Sequence, residues 1–378
     1  MCTARSMAVT YEDNRSICKY VHSTSRGHEA IQLATAFQLQ PCDYVSPYYR
    51  DESLLLGLGF SPYELMLQLL AKGNDIFTGG REYYSHPNYK GDDKPNIIHQ
   101  SSATGMQAIP TTGVAQGIKF LEQISGRQAT DNGQQSTNNE QRPSANEQPV
   151  VICSFGDESV TEGEVSEAFQ FAALHQLPII YLVQDNGWGI SVTSDEARTT
   201  NANEMVKGFK GIKRISIDGS DFLQSYDVMK NVVDEVRQER HPFLVHAKVP
   251  LLGHHTSGVR KEFYRTEEDL AKHAVDDPGP KLRNKLLEIG VGEDVLIQIE
   301  TDAAADVAHH FQGAVAAPEP DAATVSDHVF VPTPVTAELG ERSPADKEKV
   351  LMVDAALFAI REIMEDHPES LLYGQDVG

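Results

Sequence analysis

The chain has 378 residues, of which 40% are apolar and 23% charged, an ordinary soluble composition with enough length for one large domain or two smaller ones. A formal net charge of −23 argues against a nucleic-acid partner, and no stretch approaches the roughly 18 consecutive apolar residues that a membrane span needs. Cys2, Cys18, Cys42 and Cys153 are scattered without CxxC spacing and the N-terminus has no apolar signal core, so a reducing, cytoplasmic setting is expected and neither a disulfide framework nor a zinc site.

In chain order, residues 27–39 place Ala30, Ile31, Ala34 and Leu39 at helical spacing, and residues 42–50 (CDYVSPYYR) read as a short strand and loop. Residues 61–73 predict a helix with Ser61 as N-cap, Pro62 in its first position and Gly73 as its stop. Residues 78–100 lack periodicity and are rich in Gly, Tyr, His and Lys, as functional loops often are. A helix of small residues is expected over 108–124. Residues 126–149 are polar and low in complexity, which reads as a mobile surface insertion.

VVICSF (150–155), IIYLV (179–183), KRISIDG (213–219) and PFLVHAKV (242–249) have the apolar, β-branched character of buried strands, with helix expected over 230–240. This alternation predicts an α/β fold with a doubly wound parallel sheet in a domain spanning 1–276. Residues 277–349 read as a helical segment, with Val295, Ile299, Val307, Phe311 and Val315 on one face, followed by a proline-rich acidic linker. Residues 350–378 read as a fresh amphipathic helix and a terminal strand, the truncated start of a second domain.

The stretch from Gly156 to Ser191 is GDESVTEGEVSEAFQFAALHQLPIIYLVQDNGWGIS. A helix with Val165, Ala168, Phe169, Ala172 and Ala173 as its buried stripe, opened by a Thr161–Glu164 capping box, makes this one βαβ unit. The Gly156-Asp157 and Asp185-Asn186-Gly187 turns then both follow strand ends, on the sheet edge where open α/β proteins bind ligands. Asp157 offers a carboxylate, Asn186 an amide oxygen, and Gly156, Gly187 and Gly189 permit close backbone approach. Either residue alone is an ordinary turn former. Together they suit Mg²⁺, which takes a few hard oxygen ligands and fills its octahedron with phosphate and water.

The stretch resembles the GDG-to-NN signature of thiamine diphosphate enzymes, and its filling resembles the alpha subunit of the decarboxylating component of 2-oxo acid dehydrogenase complexes. SRGHEAIQLATAFQLQPCDYVSPYYRDESLLLGLG and GHHTSGVRKEFYR are similar to further segments of that subunit, the latter closer to the branched-chain version. VLMVDAALFAIREIMEDHPESLLYGQDVG resembles the start of the family's beta subunit, so the chain looks like an alpha-type part fused to the first elements of a beta-type part.

The resemblance implies a thiamine diphosphate-binding fold with Mg²⁺ held by Asp157, Asn186 and the Trp188 carbonyl. It implies Tyr49, Arg50, Gly156, Glu158 and His255 around the diphosphate, His255 also being the candidate catalytic residue. Ser102 and Thr104 fall near the aminopyrimidine, and His86 sits in a loop where the family also has a histidine. Two departures stand out. Glu158 replaces the last glycine of GDG, and Leu251 stands where the family often has an arginine that Arg260 could replace. The implied reaction is oxidative decarboxylation of a 2-oxo acid of the 2-oxoisovalerate type, with the cofactor ring as electron sink. The acyl unit would then pass to the lipoyl-bearing acyltransferase partner. The glutamate that activates the cofactor belongs to the family's beta part. A pyruvate or acetoin enzyme, or an inactive cofactor-binding fragment, are the alternatives.

Overall fold

The computed structural model describes residues 1–98, 103–131, 148–330, 345, 348–374 and 377. One compact unit comprises Met1–Gly117 and Glu140–Ala322; a second comprises Ile118–Asn139 and Ala323–Gly378. Among the described residues the strands are β1 (Tyr44–Ser46), β2 (Asn96–Ile97), β3 (Val151–Gly156), β4 (Ile179–Asp185), β5 (Trp188–Gly189), β6 (Val192–Thr193), β7 (Lys213–Asp218) and β8 (Phe243–Lys248). The helices are α1 (Cys2–Asp13), α2 (Glu29–Ala36), α3 (Glu52–Gly57), α4 (Pro62–Leu69), α5 (Ala108–Asp131), α6 (Gly163–His175), α7 (Ser194–Ala197), α8 (Ala202–Met205), α9 (Phe222–Glu239), α10 (Glu267–Val275), α11 (Pro278–Glu288), α12 (Glu293–Ala316) and α13 (Met352–Asp366).

Six strands form one parallel sheet in the order β2-β1-β3-β4-β8-β7, and β5 and β6 form a small antiparallel hairpin. Strand β3 is buried along its whole length, because both faces of the sheet are covered. On one face Ile152, Ile180, Leu182 and Val245 join a core with Met229, Val232 and Val236 of α9. On the other, Tyr181 meets the ring of Phe169 on α6 edge-on at 4.8 Å and bonds the Thr112 hydroxyl of α5 at 2.8 Å. The strands expected between residues 42 and 249 and the α6 stripe are present, and the doubly wound α/β reading holds. Strand β2 was not anticipated, since two residues carry no period.

Several local expectations need correction. Ser61 and Glu64 do form the capping box of α4, but the helix ends at Leu69, before Gly73, and Ala71 turns the chain with a φ of 51°. The Thr161–Glu164 box does not form. Thr161 lies in a 3₁₀ turn and its hydroxyl donates to the Glu158 carbonyl at 2.9 Å, while Glu162 occupies the N-cap position of α6 without a side-chain capping bond. Helix α5 continues to Asp131, into the segment read as an insertion, whose residues 132–147 lie outside those described. Gln148 and Pro149 are tied down, their carbonyls accepting from Arg237 at 2.6 Å and Arg240 at 2.8 Å.

Beyond residue 276 the first unit continues. Helix α12 packs on α1 and α4 and buries Leu296, Val307, Phe311 and Ala314; Val295, Ile299 and Val315 of the predicted stripe are exposed instead. The chain after it docks too, with Gly73 N–H donating to the Pro318 carbonyl at 2.9 Å and Lys72 pairing with Glu319 at 2.6 Å. In the second unit α13 forms as expected, with Leu357, Phe358 and Ile363 exposed. The strand expected over 371–378 is absent from its described residues. No helix among the described residues is long and apolar enough to cross a membrane.

Candidate active site

The register Gly156↔Gln184 puts the two turns side by side at the carboxyl ends of β3 and β4. A cavity of about 710 Å³, in the range of small-molecule sites, is lined there by Tyr49, His86, Thr104, Asp157, Glu158, Trp188 and His255. Asn186 instead lines a second cavity, of about 600 Å³, with Asp185 and Gly187. Ser102 lies outside the described residues.

Arg50 follows β1 and is 1% exposed. Its Nη2 lies 3.4 Å from the Tyr49 hydroxyl, 3.2 Å from the His255 carbonyl and 3.5 Å from His255 Nδ1. Its Nε and Nη1 are buried with no partner among the described residues. Because a guanidinium stays charged, these unused donors call for an anion. Burial first, and then the Arg50 charge, push the pKa of His255 down to about 3, so its imidazole is neutral near neutral pH. Gly156 is required where it stands, since a Cβ there would come within 2.5 Å of the Tyr48 hydroxyl oxygen.

The acidic side of the site converges on Arg198, which enters just after α7. Its Nη2 lies 2.9 Å from Asp157 Oδ2, 2.9 Å from Asp185 Oδ1 and 2.7 Å from Ser194 Oγ. Its Nη1 lies 3.8 Å from Glu158 Oε1. Burial first, and then the Asp185 charge, raise the pKa of Asp157. Burial pulls Asp185 the same way, but the hydrogen bond to His246 at 2.8 Å and the Arg198 charge outweigh it and hold its carboxyl well below the usual range.

Asn186 is held by a chain of amides. Gln184 donates from Nε2 to Asp51 at 2.6 Å and to Ser154 at 2.9 Å, so its Oε1 accepts, at 2.9 Å, from His28 Nδ1. That fixes the imidazole tautomer and leaves His28 Nε2 to accept from the Asn186 amide nitrogen at 3.3 Å. The Asn186 oxygen is consequently turned the other way, toward the Trp188 N–H at 3.0 Å. The Trp188 ring is clamped between Tyr264, with centroids 5.5 Å apart, and the Arg265 guanidinium at 5.4 Å.

Leu251 is fully buried, and Arg260 pairs with Glu12 at 2.7 Å. Sequence reasoning missed Arg198, His28 and Gln184. Gln184 carried a signal, a polar residue at the end of an apolar strand; Arg198 carried none.

A parallel α/β sheet with unpaired cationic donors and clustered oxygens at its carboxyl edge has the chemistry of a site for an anionic ligand. The particular family follows from comparison: residues 2–323 match Dehydrogenase E1 component, and the chain belongs to this family of thiamine diphosphate-dependent 2-oxo acid dehydrogenases. It is 28% identical over 279 residues to the 2-oxoisovalerate dehydrogenase subunit alpha of Bacillus subtilis, covering 73% of this chain and 76% of that one. It is 27% identical over 333 residues to the 3-methyl-2-oxobutanoate dehydrogenase subunit alpha of Mycobacterium tuberculosis, covering 87% and 78%. With the mitochondrial 2-oxoisovalerate dehydrogenase subunit alpha 2 of Arabidopsis thaliana the identity is 27% over 264 residues, 69% of this chain and 50% of the relative.

Proposed function

We propose that this chain is the alpha-type part of a cytoplasmic branched-chain 2-oxo acid dehydrogenase, which decarboxylates a substrate of the 2-oxoisovalerate type and passes the acyl group to a lipoyl-bearing acyltransferase. The observation that carries the reading is Arg50, buried with two unpartnered donor nitrogens beside the cavity of Asp157 and His255. Arg50 and Tyr49 would hold the diphosphate, and Asp157, Asn186 and the Trp188 carbonyl would hold Mg²⁺. Thiamine diphosphate, when bound, supplies the electron sink that lets a 2-oxo acid lose CO₂.

The chain's own residues orient and insulate. The carbonyl of Trp188 is fixed because its ring is clamped, and Asn186 is turned by His28. His255 Nδ1 faces the Arg50 guanidinium, which only donates, so its remaining N–H sits on Nε2 and is available to an anionic oxygen. Val21, Ile190 and Val192 give the cavity an apolar wall that suits a branched aliphatic side chain. The Glu52 and Asp51 carboxyls are fully buried and do not line the cavity. A beta-type partner is supported by the exposed apolar face of α13, since the resemblance makes this helix part of a beta-type fold.

The test is reduction of an artificial electron acceptor by the chain combined with a beta-type partner, thiamine diphosphate and Mg²⁺, across a panel of 2-oxo acids. Turnover is expected to favour 2-oxoisovalerate. Faster turnover of pyruvate would overturn the substrate assignment, and no turnover of any 2-oxo acid would overturn the activity.

A further inference from the structure

Glu158 and Asp185 add two carboxylates beside Asp157, at turns destined on the reading above for a diphosphate. Unbalanced, three acids at that edge would repel a phosphorylated ligand. Arg198 touches all three. It is 7% exposed at the side chain, so the contacts are little screened by solvent. Only one nitrogen, Nη2, serves Asp157 and Asp185; Nη1 is buried without a hydrogen-bond partner and faces Glu158 Oε1, itself unpartnered. Ser194 fixes the guanidinium from the hairpin side, and its hydroxyl lies 3.4 Å from Asp157 Oδ2. Arg198 Nη2 and the Ser194 hydroxyl both approach the same carboxylate oxygen of Asp157, Oδ2.

We propose that Arg198 is a positioning residue that cancels the surplus charge of Glu158 and Asp185 and orients Asp157 for the divalent cation. It acts through these carboxylates. The inference rests on the magnesium–diphosphate reading above. It makes a specific demand: the need for Arg198 disappears when the two surplus carboxylates do.

The experiment compares the parent with R198Q, E158Q/D185N and the triple variant in the full chain with its beta-type partner. Asp185→Asn keeps an oxygen for His246. Calorimetry measures thiamine diphosphate affinity in saturating Mg²⁺, and a melting curve in chelator without cofactor reads the charge balance alone. Arg198→Gln is expected to weaken the cofactor by about tenfold or more, and the triple variant to return within about threefold of the parent, a non-additivity that independent sites do not show. In the melting curves R198Q falls below the parent and the triple variant recovers. Unchanged affinity in R198Q, or a triple variant as weak as R198Q, overturns the proposal. If the parent itself binds no thiamine diphosphate, the cofactor reading fails. The melting curves then decide Arg198, and R198Q melting with the parent, or no recovery in the triple variant, rejects it.

Discussion

At the scale of single residues, burial without a partner is the recurrent signal. Arg50 spends stability on two unpartnered donor nitrogens, so Arg50→Gln is expected to leave the melting temperature unchanged or raised without cofactor. The same substitution removes charge-assisted bonds worth about 1.5–3 kcal/mol each, so thiamine diphosphate affinity measured by calorimetry falls by about tenfold or more. Asp157→Ala removes a hard ligand, and the Mg²⁺ dependence of cofactor binding goes with it. Unchanged affinity in that variant, or full affinity of the parent in excess chelator, contradicts the metal assignment. Glu52 is fully buried, bonded by the Tyr84 hydroxyl at Oε2 and unpartnered at Oε1. Burial pushes its pKa up to about 8, although the Tyr84 bond opposes the shift. A carboxyl raised on folding stabilises the protein below its unfolded pKa and loses that contribution as pH rises through the folded value. Stability should therefore decline between about pH 4.5 and about pH 8, and urea titrations of Glu52→Gln should lack this share of the slope.

Single elements are tied together by a few buried polar anchors. Asp43, fully buried, takes both guanidinium nitrogens of Arg237 at 2.8 Å and also accepts from the N–H groups of Gln40 at 2.7 Å and Val150 at 2.9 Å. One carboxylate thus joins β1, the entry to β3 and α9. Asp43→Ala strands a buried guanidinium, and a loss of about 3–5 kcal/mol in denaturant unfolding is expected. A loss below about 1 kcal/mol would show the anchor to be dispensable. The polar composition of residues 132–147 gives them little to pack, and loop closure depends weakly on length. Their replacement by a short Gly-Ser bridge should shift melting by only a few degrees, provided Gln148 and Pro149 are kept. A large loss would mean that the segment is structural.

For the whole molecule, the decisive packing is that of α12 on α1 and α4. Phe311 is 8% exposed in the main core, so Phe311→Ala is expected to cost about 3–5 kcal/mol of the unfolding free energy of the first unit. A helix merely leading into a linker would tolerate the change, and a melting curve separates the two cases. The acidic site adds a constraint at this scale. Its carboxylates come from β3 and β4 and their counter-charge from beyond the β5–β6 hairpin, so the charge balance exists only in the folded sheet.

What the sequence determined by itself was local or periodic. The buried runs of β3 and β4, the α6 stripe and the Ser61 cap are set by neighbours a few residues away, and they suffice to bring Asp157 and Asp185 to one edge. Tyr49, Thr104 and His255, singled out by their motifs, line one cavity, whereas the burial of Arg50 was not legible. The tertiary structure alone decided which face of α12 turns inward, because that depends on the shape of α1 and α4. It also decided that Thr161 makes no cap, that Arg198 reaches three acids and that Arg260 reaches none of them. A long, charged side chain takes its partner from whatever the fold sets within its reach, and no spacing along the chain encodes that.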